Sequence, residues 1–167
     1  EVAKRYAFKN KRILFTCFNR HLGQWLSTNF NSNELNYITV GNIHSVVRAF
    51  LPKHQISNKN FLNEAPFKLL DSLEKGEFEP FDAIIIDEAQ DLLDSRYLDI
   101  FSLLLKDEIK NGNWIMFGDF ISQALFTDND FDEMYGLINS RLNEKLHICP
   151  LKRNIRNTKD TALAAVN

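Results

Sequence analysis

Residues 81–93, FDAIIIDEAQDLL, constrain the fold of this chain more than any other stretch. The continuous apolar run 83–86 has no polar alternation, which is typical of a strand buried on both faces of a parallel sheet covered by helices. A buried helix is the alternative, but the run has the length of a strand. It ends at the adjacent carboxylates of Asp87 and Glu88. Ligands of open α/β sheets bind at the carboxyl ends of strands, so we expect a functional site here.

The two carboxylates allow a catalytic and a purely structural interpretation. Unpaired buried charge is costly, and a hydrated Mg²⁺ bound to nucleotide phosphates is one partner that would offset it. The second carboxylate can then orient or deprotonate an attacking water. In the structural interpretation the acidic residues begin a helix and favour its dipole. An aliphatic run that leads into DEAQD favours the catalytic interpretation.

Composition limits the classes of protein to consider. The 167 residues suffice for one domain with a sizeable core, and 44% of them are hydrophobic. The net charge of −2 gives no global attraction to phosphate backbones, so any nucleic-acid contact requires a local patch. Cys17 and Cys149 lie in apolar runs and are predicted to be buried, reduced thiols. The sequence shows neither a signal peptide nor a membrane-spanning run, which makes a cytoplasmic protein the simplest expectation.

Predicted strands alternate with predicted helices along the chain, which indicates an α/β fold with a mainly parallel sheet. The predicted strands are 13–18, 37–40, 83–86, 114–117 and 146–148, of which 13–18 and 114–117 are expected to be buried like 83–86. The predicted helices are 2–8, 22–30, 42–50, 61–73 with an interruption at Pro66, 97–105 with a glycine stop at 110–113, 131–142, and a last one from 157. The helix 97–105 is strongly amphipathic, and its apolar face is formed by Tyr97, Ile100, Phe101, Leu104 and Leu105. Residues 31–36 are predicted to be a loop. Because the first helix has no start signal and the last has no cap, we expect the chain to be a piece of a larger protein.

Other polar groups follow predicted strands. Gly118 and Asp119 end the strand 114–117 and lead to Gln123, whose neutral amide can hold a water or a phosphate oxygen. Arg153 and Arg156 flank Asn154, and a guanidinium placed against a γ-phosphate stabilises phosphoryl transfer. The alternatives are an ordinary turn for the first group and a solvated basic loop for the second.

A third group suits single-stranded nucleic acid. It combines short polar groups, an aromatic ring and helix N-termini, which fit backbone phosphates and stacked bases. Its members are Phe18, Asn19, Arg20, His44 and Ser45. The alternative is helix capping and core packing, with His44 as a structural hydrogen-bonding group.

Taken in order, these segments resemble the first RecA-like motor domain of superfamily 1 helicases of the UvrD/Rep kind. ILFTCFNRHL resembles motif Ia, and NIHSVVRAF resembles the TxH segment with Asn42 in place of the usual Thr. IIIDEAQD is similar to the Walker B motif, FGDFISQALF to motif III and LKRNIRNT to motif IV. The resemblance covers essentially all of residues 1–167 and implies a partial RecA-like P-loop NTPase domain, truncated at both ends.

The resemblance implies a role for each matching residue. Asp87 would hold Mg²⁺ through water, and Glu88 would be the general base toward the water that attacks ATP. Gln123 would sense the γ-phosphate, and Arg156 would be the arginine finger. Gln90 and Asp119 would support these groups. The single-stranded DNA track would be lined by Phe18, Asn19, Arg20, His44 and Ser45.

The chain also departs from the family. No GxxxxGK[ST] loop occurs in it, and in the family that loop lies just before the helix predicted at 2–8. We therefore expect that the ATP cleft is completed by this missing loop and by a second RecA-like domain, and that the fragment alone is inactive. Without its first, central P-loop strand the sheet is expected to be disturbed or closed by a neighbouring chain, as in a swapped dimer.

Three functions follow from these observations. The leading one is an ATP-dependent DNA helicase or translocase. A metal nuclease that uses Asp87, Glu88 and Asp91 is less favoured, because the chain lacks the distant acidic or histidine grouping typical of two-metal sites. The non-enzymatic alternative is a helicase-derived module that only binds nucleic acid or protein.

Overall fold

The computed structural model describes residues 1–51, 56–119 and 131–150. Its four strands are β1 (Ile13–Cys17), β2 (Ile38–Asn42), β3 (Ala83–Ile86) and β4 (Asn113–Met116). Its helices are α1 (Val2–Phe8), α2 (Arg20–Ser27), α3 (Ser32–Leu35), α4 (Ile43–Phe50), α5 (Phe61–Glu74), α6 (Ser95–Leu104), α7 (Glu108–Asn111) and α8 (Phe131–Asn139), and Ala89–Leu92 forms a short 3₁₀ helix.

The four strands form one parallel sheet in the order β2-β1-β3-β4. Cys17 lies opposite Asn42, and Ile86 lies opposite both Thr16 and Met116. The carboxyl ends of all four strands therefore meet at one edge of the sheet. The predicted α/β class and mainly parallel sheet are confirmed.

Each face of the sheet has its own core because side chains alternate along the strands. Leu14, Ile84 and Ile86 pack in the larger core with residues of α4, α5, α6 and α8. Ile13 and Ile85 project to the other face, where the smaller core includes residues of α1. β3 is buried along its whole length, as its unbroken apolar run predicted.

β4 is only half buried, which corrects the prediction of another buried strand. Trp114 and Met116 pack against the larger core, whereas Ile115 is 39% exposed and Phe117, just after the strand, is 43% exposed. Within the described residues β4 is hydrogen-bonded to a neighbour on its β3 side alone. The pairing β2-β1-β3-β4 is continuous, so the expected disturbance is not found within these four strands.

Asparagine side chains fix the starts of the two helices that follow β1 and β2. Asn19 caps α2 by accepting a hydrogen bond from the Leu22 N–H at 3.0 Å, and Asn42 caps α4 by accepting one from the Ser45 N–H at 2.8 Å. α2 also approaches β2 closely at Gly23, where a Cβ atom would lie 2.7 Å from the Asn42 nitrogen. The glycine thus permits the contact that sets α2 against the sheet.

Two predictions about helices were wrong for local reasons. Residues 31–36 are not simply a loop, because Asn31 and Glu34 form a reciprocal capping box that starts α3. Pro66 does not interrupt α5: it forfeits one hydrogen bond, while Phe61, Ala65 and Leu69 keep the helix anchored in the core on both sides of it.

Three further predictions were wrong because the tertiary structure, rather than the local sequence pattern, determines these features. α6 ends at Leu104, because Phe81 exchanges backbone hydrogen bonds with Leu104 and Lys106 and holds the chain there in an extended bridge. The predicted glycine stop, Gly112, ends α7 rather than α6. Residues 146–148 are not a strand, because no described strand pairs with them. Consequently Cys149 is exposed, whereas Cys17 is buried as predicted.

No helix among the described residues is both long enough and apolar enough to cross a membrane. The helix predicted from residue 157 lies outside the described residues.

Candidate functional site

The acidic pair lies where β3 leaves the sheet, held between the ends of its two neighbours. The Asp87 N–H donates to the Thr16 carbonyl at 2.9 Å, on the β1 side. On the β4 side, the Phe117 N–H donates to the Ile86 carbonyl and the Ala89 N–H donates to the Phe117 carbonyl, both at 2.8 Å. Backbone hydrogen bonds on both sides therefore fix the positions of Asp87 and Glu88.

Glu88 has a left-handed backbone conformation, with φ 50° and ψ 47°. For a residue other than glycine this conformation costs about 1–2 kcal/mol. The hydrogen bonds on either side of Glu88 hold it there, and such backbone strain concentrates at functional sites. The kink turns the chain directly from β3 into the 3₁₀ helix Ala89–Leu92.

Gln90 joins Glu88 to residues 117–119, the segment after β4. Its Nε2 donates to Glu88 Oε2 at 2.7 Å, and its Oε1 accepts from the Asp119 N–H at 3.2 Å. The side chain is buried, with 2% exposure. The structure thus brings together three residues, Glu88, Gln90 and Asp119, that were selected from two separate motifs of the sequence.

Burial and the nearby charge of Glu88 make two carboxyl groups of this edge, Asp87 and Asp91, reluctant to ionise. Desolvation raises the pKa of Asp87, and the charge of Glu88 raises it further, against the lowering effect of a hydrogen bond from the Glu88 N–H. Desolvation and Glu88 also raise the pKa of Asp91, whose Oδ1 is buried without a hydrogen-bond partner among the described residues. Burial, with the nearby Asp87 charge, raises the pKa of the Cys17 thiol to about 11.

The donor set at this edge suits Mg²⁺ only with oxygens from outside the chain. Among the described residues no three His, Cys, Asp or Glu side chains are grouped to hold a metal ion. Mg²⁺ typically uses one or two carboxylates, several waters and substrate phosphates. Asp87 fits such a role because a nearby cation would offset both its desolvation and its repulsion by Glu88. Because no three such side chains are grouped among the described residues, the structure gives no support to a two-metal nuclease that uses Asp87, Glu88 and Asp91.

Phe18 and His44, both predicted to line a single-strand track, meet at the ends of β1 and β2. Their ring centroids lie 5.7 Å apart in an edge-to-face arrangement. His44 also packs at 4.1 Å against the ring of Phe61, and its Nε2 lies 2.8 Å from the Tyr97 hydroxyl. Burial, with a smaller effect of Arg48, lowers the pKa of His44. His44 is therefore a structural hydrogen-bonding group that packs within an aromatic cluster.

The other three predicted track residues are exposed at the same edge. Asn19 and Arg20 begin α2, and Ser45 lies in the first turn of α4. The Oδ1 atom of Asn19 caps α2, so its amide nitrogen is the group that it offers outward. The two helix N-termini thus open at the edge that carries the acidic pair, at the ends of β1 and β2.

Several predicted site residues lie outside the described residues. They are Gln123, Arg153, Asn154 and Arg156. Sequence reasoning, in turn, missed the contacts of Tyr97, Phe61 and Cys17. The helical period marked Tyr97 correctly as buried, but its hydroxyl partner His44 lies 53 positions away in the chain, and no local signal reports such a pairing.

Comparison of the chain with models of protein families, with curated proteins and with solved structures finds no match.

Proposed function

We propose that this chain is part of an ATP-hydrolysing motor domain that moves on single-stranded DNA, of the superfamily 1 helicase class. The observation that carries the proposal is the placement of Asp87 and Glu88 where β3 ends, in a four-stranded parallel sheet. In open α/β sheets this is where nucleotides and other ligands bind. The α/β architecture is compatible with a RecA-like fold.

In this proposal the acidic pair has two roles. Asp87 would hold Mg²⁺ through water, and the ion would neutralise charge on the phosphates. Glu88 would orient and deprotonate the attacking water. Its carboxylate is half exposed, is restrained by Gln90, and projects from a backbone kink that hydrogen bonds hold in place. Gln123 and Arg156 are proposed as the γ-phosphate sensor and the arginine finger on the resemblance alone.

The proposed DNA track consists of the N-termini of α2 and α4 with the residues around them. Exposed Asn19, Arg20 and Ser45 would contact phosphates or sugars, since N–H groups and positive dipoles at helix N-termini favour anions. Half-buried Phe18 would present a ring edge to a base. His44 would act by holding Phe18 in place rather than by binding DNA through Nε2, which Tyr97 already engages.

A phosphate-binding loop is also part of the proposal, because nucleotide affinity depends on its backbone N–H groups and lysine. The 167 residues contain no such sequence, so the proposal requires that the loop and its strand are supplied from outside them. We propose the outer edge of β4 as the position of that strand, since β4 has one hydrogen-bonded neighbour among the described residues.

The test is steady-state ATP hydrolysis by the full-length gene product, with and without single-stranded DNA. Glu88→Gln should lower kcat by about 10²–10⁴-fold and leave binding of Mg²⁺·ATP nearly unchanged, because it removes the base but keeps the shape. Glu79→Gln is the matched control, since Glu79 is exposed and pairs with Arg12, which precedes β1 at the opposite end of the sheet. Equal activity of the two variants would exclude Glu88 as the base.

A further inference from the structure

We infer that Gln90 is a positioning residue that couples residues 117–119, the segment after β4, to the orientation of the Glu88 carboxylate. This inference rests on the proposed function, because it assigns the regulation of the same site. It depends on the buried bridge in which one amide contacts both Glu88 and the Asp119 backbone.

The two partners fix the orientation of the Gln90 amide. A glutamine amide has one acceptor oxygen and one donor NH₂ group. If the group were flipped, its oxygen would face Glu88 Oε2 and its NH₂ would face the Asp119 N–H, so both contacts would become repulsive. With 2% exposure, little water is available to replace either bond. The amide therefore has a single favourable orientation, and that orientation directs an N–H toward Glu88.

The bridge selects one oxygen of Glu88. Gln90 engages Oε2 at 2.7 Å, which leaves Oε1 as the oxygen for an attacking water. A carboxylate with one oxygen held cannot rotate freely, and small displacements of a catalytic group reduce rates strongly. The bridge thus restrains the proposed base without removing its second oxygen.

The other end of the bridge responds to β4. Asp119 lies two residues after Phe117, whose carbonyl accepts the Ala89 N–H at 2.8 Å. A shift of residues 117–119 would move both the backbone beside Glu88 and the acceptor bond of Gln90. A ligand that displaces this segment would therefore change the orientation of Glu88 through Gln90.

The experiment compares Gln90→Met, which removes both hydrogen bonds, with Gln90→Glu at pH 8, which keeps an acceptor for the Asp119 N–H but repels Glu88. Assayed well below their melting temperatures, both should lower the kcat of the full-length protein roughly 10- to 100-fold, with Kd for Mg²⁺·ATP little changed. The melting temperature should fall for both variants, because each disturbs a buried polar contact. In a Glu88→Gln background, Gln90→Met should have less than about a twofold further effect, because Gln90 acts through Glu88. If Gln90→Met does not fold, Gln90→Asn, which keeps the amide but shortens its reach, provides the same comparison.

Two results would overturn the inference alone: near wild-type kcat for Gln90→Met, which removes both hydrogen bonds, or losses that multiply fully in the double variant, as expected of a residue that acts independently of Glu88. A failure of the proposed function has a different signature. In that case wild-type protein shows no turnover and Glu88→Gln changes nothing, and the inference falls with it.

Discussion

The imidazole Nε2 of His44 lies 2.8 Å from the hydroxyl oxygen of Tyr97 and thereby links α4 to α6. Tyr97 is buried, with 6% exposure, so its hydroxyl has little access to water as an alternative partner. The pair holds His44 against Phe61 and Phe18, and with it the end of β1. Packing of this aromatic cluster therefore shapes one end of the proposed DNA track.

Tyr97→Phe should destabilise the fold by about 0.5–1.5 kcal/mol, because it leaves the partly buried His44 ring nitrogen without its partner. Urea unfolding monitored by fluorescence measures the change. Tyr37→Phe is the control, since no side-chain hydrogen bond of Tyr37 is found within the described residues. Equal effects of the two substitutions would show that the hydrogen bond to His44 contributes nothing.

Asp87→Asn should make the protein more stable at pH 7, at the cost of any Mg²⁺ binding. The folded-state pKa of Asp87 is raised by burial and by Glu88, so the folded state binds more protons than the unfolded state between the two pKa values. Stability therefore falls as pH rises through that window, and the destabilising effect of the Asp87 charge is present above it. Asparagine keeps an oxygen for the Glu88 N–H and carries no charge.

Thermal melts of wild-type protein and Asp87→Asn from pH 4 to pH 8 test this. The difference in melting temperature should grow with pH and then level off. Glu74→Gln, at the exposed end of α5, should give no such trend. A melting temperature lower for Asp87→Asn than for wild type at pH 7 would mean that the Asp87 charge has a stabilising partner.

Gly23→Ala should destabilise the protein by about 1–3 kcal/mol, because the added methyl group meets the backbone of β2. Its Cβ would lie 2.7 Å from the Asn42 nitrogen and 3.0 Å from the Gly41 carbonyl carbon. Gly136→Ala in α8 is the matched control, since nothing lies within 4 Å of a Cβ there. It should be neutral or stabilising by up to about 1 kcal/mol. Chemical denaturation of both variants measures the difference, and similar values would contradict the close contact of α2 with β2.

Cys149 should react with iodoacetamide at pH 8, and Cys17 should not. The thiolate is the reactive form, and the pKa of Cys17 is raised to about 11 while its side chain is fully buried. Cys149 is exposed. Intact-mass spectrometry should show one adduct on native protein, two after denaturation, and none on native Cys149→Ser. A second adduct on native protein would mean that the end of β1 opens to solvent.

The sequence was most informative about features that a single strand or helix determines by itself, such as its type and its buried face. The apolar run of β3 predicted a buried parallel strand, and the apolar spacing in α6 predicted its buried face, including Tyr97 and Ile100. Local pattern did not predict the half-exposed β4, because exposure depends on what covers a strand. Residues 146–148 have a strand-like composition, but a strand also needs a partner for its backbone hydrogen bonds.

The candidate site shows the same division. DEAQD predicted Asp87 and Glu88 as candidate catalytic carboxylates, and the resemblance implied supporting roles for Gln90 and, in a second motif, Asp119. The sequence did not predict that the Gln90 amide bridges Glu88 and the backbone of Asp119, since the bond between Gln90 and Asp119 joins residues 29 positions apart. Such contacts arise only once β3 and β4 are paired.

The most direct test of the account is nucleotide binding. A fluorescent ATP analogue is titrated with Mg²⁺ into this chain and into a version extended upstream through the neighbouring coding sequence. The account predicts saturable binding by the extended version, weakened by Asp87→Asn, and little or no binding by the 167-residue chain. Absence of binding by both would contradict an ATPase role for this domain and would favour a module that only binds nucleic acid or protein.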